Sequence, residues 1–417
     1  MILSRPQREL LLPLGVALAL SLTGDSTLYA VLPNQAVVVG VGLGAVGVLL
    51  GANRLVRIPA NPLAGALYDR RGRRGLFLLG LVLGILSTLA YGVVRGFWPM
   101  LAARLLWGIA WSLINVGGYT MILDRSSRAD RGQMTGFYQV FYLLGLTVSP
   151  LVGGTLTDVL GFQPAVAICA GLSAVGLAVA MVALPETRPE QAVAGPRAPG
   201  LRLTLRHLLT LRQADRRLLL AAGLYFAIFF VSGGVLMSTI SLYLGQRWAG
   251  GLAIGRVTVG VASMAGGMLA LRSLLGIAAG PVAGTLSDRL RSRWPVVRLG
   301  LFLGILGFAL LSVGGGVMSV AGGVTLVALS SGALIATLAA VVGDLAAGRQ
   351  QGLTMGVMAT AGDAGSAAGP LLAYALAVVV DLRWVYMLCA GILALGLVAA
   401  LLWGRDKRTW GPAAAAE

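Results

Sequence analysis

The stretch Gly65-Ala66-Leu67-Tyr68-Asp69-Arg70-Arg71-Gly72-Arg73-Arg74 decides how this chain is read. It is a short, strongly basic loop between two apolar runs too long for a soluble core. A second, degenerate copy follows as Gly284-Thr285-Leu286-Ser287-Asp288-Arg289-Leu290-Arg291-Ser292-Arg293. Asp69 and Asp288 lie 219 positions apart in a chain of 417 residues, about half its length. The pattern is that of a duplicated membrane protein with one charged hinge loop in each half.

Composition agrees. Charged residues make up 11% and hydrophobic residues 57% of the chain, where a soluble domain carries about 25% charged residues. The 60 glycines suit spanning helices, which associate through close packing of small residues because lipid removes the hydrophobic drive between them. The net charge of +17 falls in short clusters between apolar spans, as expected of cytoplasmic loops, so nucleic acid is not read as a partner. Lys407 is the only lysine and His207 the only histidine. Their scarcity excludes a Walker A loop, a Schiff-base lysine and most histidine metal or triad sites. No nucleophile–base constellation can be assembled, so the chain reads as a non-enzyme with no cofactor and no metal. Cys169 and Cys389 sit in apolar spans 220 residues apart and read as reduced packing residues.

A span needs about 20 apolar residues. Twelve are expected: 10–32, 39–67, 75–94, 98–123, 134–158, 163–184, 217–244, 254–286, 297–318, 320–344, 353–379 and 384–404. The run Leu10–Leu32 is taken as an uncleaved first span. Arginines follow spans 2, 4, 8 and 12 and are sparse on the opposite side, which places both termini in the cytoplasm. The expected fold is therefore an all-α polytopic protein of two six-helix bundles, 1–184 and 217–417, joined by a cytoplasmic linker, 185–216. Within the linker, Leu201, Leu205, Leu208 and Leu209 alternate with Arg202, Arg206, Arg212 and Arg216. That suits a basic amphipathic helix on an anionic leaflet; a solvated helical linker fits equally. An internal repeat supports the duplication: Gly80-Leu-Val-Leu-Gly84 recurs as Gly300-Leu-Phe-Leu-Gly304, and Cys169-Ala-Gly171 as Cys389-Ala-Gly391, at an offset of 220.

Together these residues resemble the major facilitator superfamily over nearly the whole chain. Gly65-x-Leu67-x-Asp69-Arg70-x-Gly72-Arg73-Arg74 resembles its loop 2–3 signature, and the second copy keeps Gly284, Asp288 and Arg289. The resemblance implies a latch in which Asp69 meets the start of span 11 near Thr354, and Asp288 the start of span 5 near Thr135; a carboxylate suits a helix N-terminus. Arg104-Leu-Leu-Trp107-Gly108 resembles the span-4 motif, with Trp107 at its glutamine-like position. Gly145-x-x-x-Ser149-Pro150-x-x-Gly153-Gly154 resembles the span-5 motif of drug:proton antiporters, and Gly365-x-x-x-Gly369-Pro370 repeats it in span 11. The same motifs read alone as a kinked, closely packed helix pair. Asp25-Ser-Thr27…Leu32-Pro33 resembles a first-span motif of drug exporters, and Pro185-Glu186 a recurrent end of span 6.

Ionisable groups inside spans are functional candidates by default, since each costs several kcal/mol there. Asp25 is read as the proton site and Arg104 as its tuner; a static ion pair is the alternative. Arg54 and Arg57, with Asn53 and Asn61 at helical spacing, and Arg272 in the second half either clamp an anionic substrate or pair with Asp363. A stripe of Met, Phe and Tyr in span 7 (Tyr225, Phe226, Phe229, Phe230, Met237) reads as a lipid-facing or core stripe, or as a drug-binding wall. The expected function is proton-coupled export of small amphipathic compounds by a monomer in a bacterial inner membrane, contacting lipids. Carriage of an anionic, organophosphate or lipid-like substrate is the rival, and a non-transporting sensor or scaffold a further one.

Overall fold

The computed structural model describes residues 4–127, 130–188, 216–345 and 351–404. The predicted amphipathic segment, His207 and Lys407 lie outside the described residues. Among the described residues twelve helical elements follow one another: α1 (Arg5–Gln35), α2 (Leu43–Arg70), α3 (Arg73–Val93), α4 (Phe97–Arg125), α5 (Arg131–Leu160), α6 (Phe162–Ala183), α7, α8 (Val261–Arg289), α9 (Trp294–Val313), α10 (Val317–Leu345), α11 (Gln351–Ala377) and α12 (Leu382–Trp403). α7 runs through Arg216–Ile228, a π-helical stretch Phe229–Leu236, and Met237–Arg247.

Eleven described helices are long and apolar enough to cross a membrane. α11 is not among them: Asp363 and its run of small residues dilute its apolar character. The expectation of an all-helical polytopic fold holds except for a small antiparallel hairpin, β1 (Leu252–Ile254) with β2 (Val257–Val259), in the register Leu252↔Val259. Its two-residue turn uses Gly255 at φ +62°, a conformation that side chains with a Cβ disfavour. The eighth helix accordingly starts at Val261, after the position 254 expected from hydropathy, because the apolar alternation at 252–259 is spent on strands.

The helices carry large apolar side chains on their outer faces as well as in their core. Leu63, Val93, Val182 and Leu395 are each at least 70% exposed, an arrangement for lipid rather than water. Close approaches fall at glycines. A Cβ on Gly84 would stand 2.9 Å from the Trp107 ring, and one on Gly80 2.9 Å from Leu113. Gly161, at φ +90°, turns α5 directly into α6.

The chain folds as two compact units. The first comprises residues 1–206, 234–273 and 367–379; the second comprises 207–233, 274–366 and 380–417. The first unit thus holds α1–α6 together with the later part of α7, the first part of α8 and the end of α11. In the second unit, Trp294 lies against Gly404 and Arg298 Nη2 donates to the Gly404 carbonyl at 2.7 Å. Gly300 meets Leu334 there, as Gly80 meets Ile114 in the first unit, 220 positions earlier. The repeat extends to an ion pair. Arg73 Nε sits 3.0 Å from Asp124, and Arg293 Nε 3.3 Å from Asp344; both partners are shifted by 220.

Candidate functional site

The deepest charge in the first unit is the pair expected from the sequence. Arg104 on α4 is fully buried and Asp25 on α1 is 5% exposed. Arg104 Nη1 donates to Asp25 Oδ1, Asn53 Nδ2 on α2 donates to the same oxygen at 3.0 Å, and Arg104 Nε donates to the Leu49 carbonyl at 2.9 Å. The Arg104 guanidinium also faces the rings of Tyr29 and Tyr91, at 5.7 and 5.8 Å. One carboxylate therefore ties α1, α2 and α4 together. The group is not closed, however. Arg104 Nη2, Asn53 Oδ1 and Ser26 Oγ are buried with no hydrogen-bond partner among the described residues. Buried polar atoms are nearly always satisfied, so orphans point to water or an exchangeable proton. Trp107, from the glutamine-like motif position, is fully buried, and its indole N–H is another such orphan.

Asn53 thus belongs with Asp25 and not with the arginines beside it in sequence. Those form a second group. Arg57 is 5% exposed and its guanidinium carbon lies 5.1 Å from the Trp111 ring centroid. Trp111 is 5.7 Å from Tyr142 of α5. Arg272 of α8 lies within electrostatic reach of Arg54 and Tyr142. Asp363 belongs to the second unit, beside Tyr225; the neighbouring Gly362 touches Tyr225 and Phe229. The π-helical stretch begins at that Phe229, and such segments gather at functional sites.

The signature loop is built around a residue the sequence marked only by resemblance. Glu186 places its carboxylate at the N-terminus of α3, accepting from the backbone N–H of Arg73 (2.9 Å) and Arg74 (3.1 Å), and from Thr187 and Arg188 (both 3.0 Å). Burial raises its pKa, but the four N–H donors outweigh burial and hold the carboxyl below its ordinary value. Gly72 has no side chain for a local reason, since a Cβ would stand 2.8 Å from Glu186 Oε2. Arg73 turns to Asp124, which also accepts from Thr187 Oγ1 at 3.2 Å, and Arg188 reaches the Arg70 carbonyl at 3.2 Å. A Cβ on Gly65 would meet no other described atom within 4 Å, and Asp69 is exposed; its expected partner Thr354 lies outside the described side chains. In the second loop Asp288 accepts from Arg293 Nη1, while Gly284 and Arg289 lie exposed to partly exposed nearby.

The span-5 motif packs on two neighbours. Gly145 admits Leu22 and Ala19 of α1, Gly153 admits Thr27, and Gly154 lies against the Ala262 carbonyl of α8. Gly266 of α8 in turn lies against the Pro150 carbonyl. Four residues beyond Gly154, Asp158 caps α8: its carboxylate accepts from Ser263 N at 2.7 Å and Ala262 N at 3.3 Å. At the same ends of the helices, Asn34 of α1 donates to the carbonyl and hydroxyl of Ser241 on α7, both at 2.8 Å. On α11, Gly365 lies 2.5 Å, by its would-be Cβ, from the Phe226 carbonyl; Gly369 is buried; and the Pro370 carbonyl takes up the space beside Gly47 of α2, 2.5 Å from its would-be Cβ. Sequence reading found the glycines but not Asp158 or Asn34, whose partners are more than 100 residues away.

Lipid-facing helices, a buried charge network and glycine seams define a multi-pass membrane protein of transporter architecture. The model of the Major Facilitator Superfamily matches residues 14–314 and 252–417, and the chain belongs to that family. It is 32% identical over 117 residues to a probable vesicular acetylcholine transporter-B of Danio rerio, covering 28% of this chain and 24% of that one. It is 32% identical over 125 residues to the multidrug transporter MdfA of Yersinia pestis, covering 30% and 31%. The matched stretches thus span only a quarter to a third of those relatives' own lengths. Among solved structures, a bacterial homologue of the human lysosomal transporter Spinster in an inward-facing, occupied conformation gives a TM-score of 0.75 at 15% identity, over 98% of this chain and 100% of that one. The human organic anion transporter MFSD10 gives 0.64 at 23% identity, over 95% and 100%. At such identities the likeness is one of fold.

Proposed function

We propose that the chain is a proton-coupled secondary transporter that exports small amphipathic compounds by alternating access. The reading takes α11 as a twelfth span and the repeat as two six-helix halves. It sets both termini in the cytoplasm of a bacterial inner membrane and takes the protein as a monomer among lipids. The observation that carries it is the Asp25–Arg104–Asn53 group with its orphaned polar atoms. An ionisable carboxylate inside a span is a functional candidate by default, and in this reading the group takes up a proton in one conformation and releases it in the other. Asp69 and Asp288 act in this reading as cytoplasmic latches, and Asp158 and Asn34 close the opposite side.

Reconstitution into proteoliposomes with an imposed pH gradient tests the coupling. Asp25→Asn is expected to abolish gradient-driven flux while preserving substrate exchange in the absence of a gradient. Gradient-driven flux at the wild-type rate in Asp25→Asn would remove Asp25 from the coupling mechanism. A flux that no pH gradient drives in the wild-type protein would leave a carrier or a scaffold.

A further inference from the structure

We infer that Asn53 is the positioning residue of the proton site. When Asp25 takes up a proton, its new O–H donates to the Asn53 side-chain oxygen, and acid and amide close a two-bond ring between α1 and α2. The inference deepens the proton-coupling reading and rests on it for the claim that Asp25 is the group protonated.

The amide is half engaged. Asn53 is fully buried on α2. Its Nδ2 donates to Asp25 Oδ1 at 3.0 Å, whereas its Oδ1 is buried with no donor among the described residues. Reversing the amide would not repair this. A carboxylate only accepts, so the amide oxygen would face a carboxylate oxygen and the NH2 would become the orphan. Buried polar atoms left without a partner are few and call for a cause.

The missing donor is one that Asp25 gains by protonation. An ionised carboxylate has no hydrogen to give; a protonated one carries an O–H beside its carbonyl oxygen. Acid and amide are then complementary. The acid carbonyl accepts from the amide N–H, which is the bond already made, and the acid O–H donates to the amide oxygen. The two heteroatoms of an amide are spaced as the two oxygens of a carboxyl are. With the first bond in place, rotation about the terminal torsions of Asp25 and Asn53, which are soft, forms the second. While Asp25 is ionised the facing oxygens repel and the ring stays open.

Packing holds the amide to this partner. Arg104 Nε donates to the Leu49 carbonyl at 2.9 Å, the Tyr29 hydroxyl donates to the Leu50 carbonyl at 3.2 Å, and the Asn53 carbonyl lies 2.6 Å from the would-be Cβ of Gly108. α4 and α1 thus pin the turn of α2 that ends at Asn53, and the side chain alone is left to move. The groups facing Asp25 are otherwise occupied. Arg104 of α4 donates to Oδ1. The Tyr91 oxygen of α3 accepts from Ser87 at 2.9 Å and from Arg104 Nη1 at 3.4 Å, and the Tyr29 hydrogen goes to Leu50. Near Asp25 the polar contacts of α5 and α6 with α1 are uncharged: Thr27 with Ser149 and Cys169, and Thr23 with Cys169 and Ser173. The later part of α7 meets α1 through Ser241 and Asn34. Ser26 Oγ, buried and likewise without a described partner, is the rival acceptor. It follows Asp25 on the same helix, about 100° around it, and would tie α1 only to itself. Asn53 instead makes protonation felt on α2, the helix that runs from Leu43 to Arg70 and carries Asp69.

Infrared difference spectroscopy of the full-length protein in proteoliposomes, acid minus alkaline, tests this. The wild type is expected to show a carboxylic C=O band that is missing in Asp25→Asn. In Asn53→Leu, which keeps the volume and removes the polar atoms, that band is expected at higher frequency, as for an acid that has lost hydrogen-bond partners. Ser26→Ala is expected to leave it in place. A second measurement uses the wild-type chain, so it decides even where Asn53→Leu fails to fold. Asparagine labelled with 13C at its side-chain carbonyl is expected to give a label-sensitive band that moves to lower frequency on acidification, and that is missing in Asp25→Asn, where neither amide titrates. Absence of any Asp25-dependent carboxylic band overturns the proton reading and this inference with it. An Asp25 band that Asn53→Leu leaves unshifted overturns this inference alone. So does an Asp25 band with no label-sensitive asparagine band, or one that is shifted by Ser26→Ala.

Discussion

Removing the charge of Asp158 probes the seam between α5 and α8. In Asp158→Asn the side chain keeps its shape and one acceptor. It loses its charge at the α8 N-terminus, and one oxygen facing the backbone N–H of Ser263 or Ala262 becomes an amide nitrogen. The carboxylate is exposed, so its attraction to the helix terminus is at the modest end, about 0.3–1 kcal/mol. Losing the short 2.7 Å charge-assisted bond adds to this, for about 1–2 kcal/mol in all. That is roughly a 5–30-fold shift in the balance between the closed and open seam. Gly266→Ala acts by a different route. Its Cβ falls on the Pro150 carbonyl, which belongs to backbone and cannot swing away, so the helices must separate at about 1–3 kcal/mol. Amide hydrogen exchange read by mass spectrometry reports both. Peptides covering 150–160 and 261–270 are expected to exchange roughly 5–30-fold faster in Asp158→Asn, with α3 and α4 unchanged. Unaltered exchange at the seam in both variants would refute the reasoning, and so would a uniform rise along the chain.

Other expectations follow from the same contacts. Arg104→Gln leaves a buried Asp25 with Asn53 as its remaining partner and is expected to cost about 3–5 kcal/mol. A thermal melt in detergent would show this, and Asp25→Asn added to it should recover most of the loss. Glu186 has a depressed pKa in the folded chain, so its hold on α3 is complete above the ordinary glutamate value of about 4.3 and fades as pH falls through the lower folded value. Amide hydrogen exchange at Arg73 and Arg74, taken relative to the intrinsic rate at each pH, is therefore expected to stay slow at pH near 5 and to accelerate only in stronger acid, whereas Glu186→Gln exchanges faster at either pH. Gly72→Ala, which displaces Glu186 sterically, is expected to mimic Glu186→Gln at neutral pH; wild-type protection in that variant would show that the glycine serves something else.

The spans, the loop charges and the offset of 220 were legible in the sequence, because lipid imposes apolar runs of fixed length and duplication leaves a constant spacing. The family was legible too, in Gly65–Arg74 and in the span-5 motif. Even the union of Asp25 with Arg104 was foreseeable, since two opposite charges in neighbouring spans have few other ways to offset their burial. The sequence could not separate Asn53 from Arg54. Adjacent residues on a helix point about 100° apart, and only the packing of α1 against α2 shows which one meets Asp25. Nor could it show that Gly72 is small for the sake of Glu186, or that Asp158 caps a helix that starts more than 100 residues later. Such contacts depend on where a chain end arrives in space. Local composition and periodicity determine the helices and the membrane; the register between helices, set by glycines at backbone contacts, decides which charges meet.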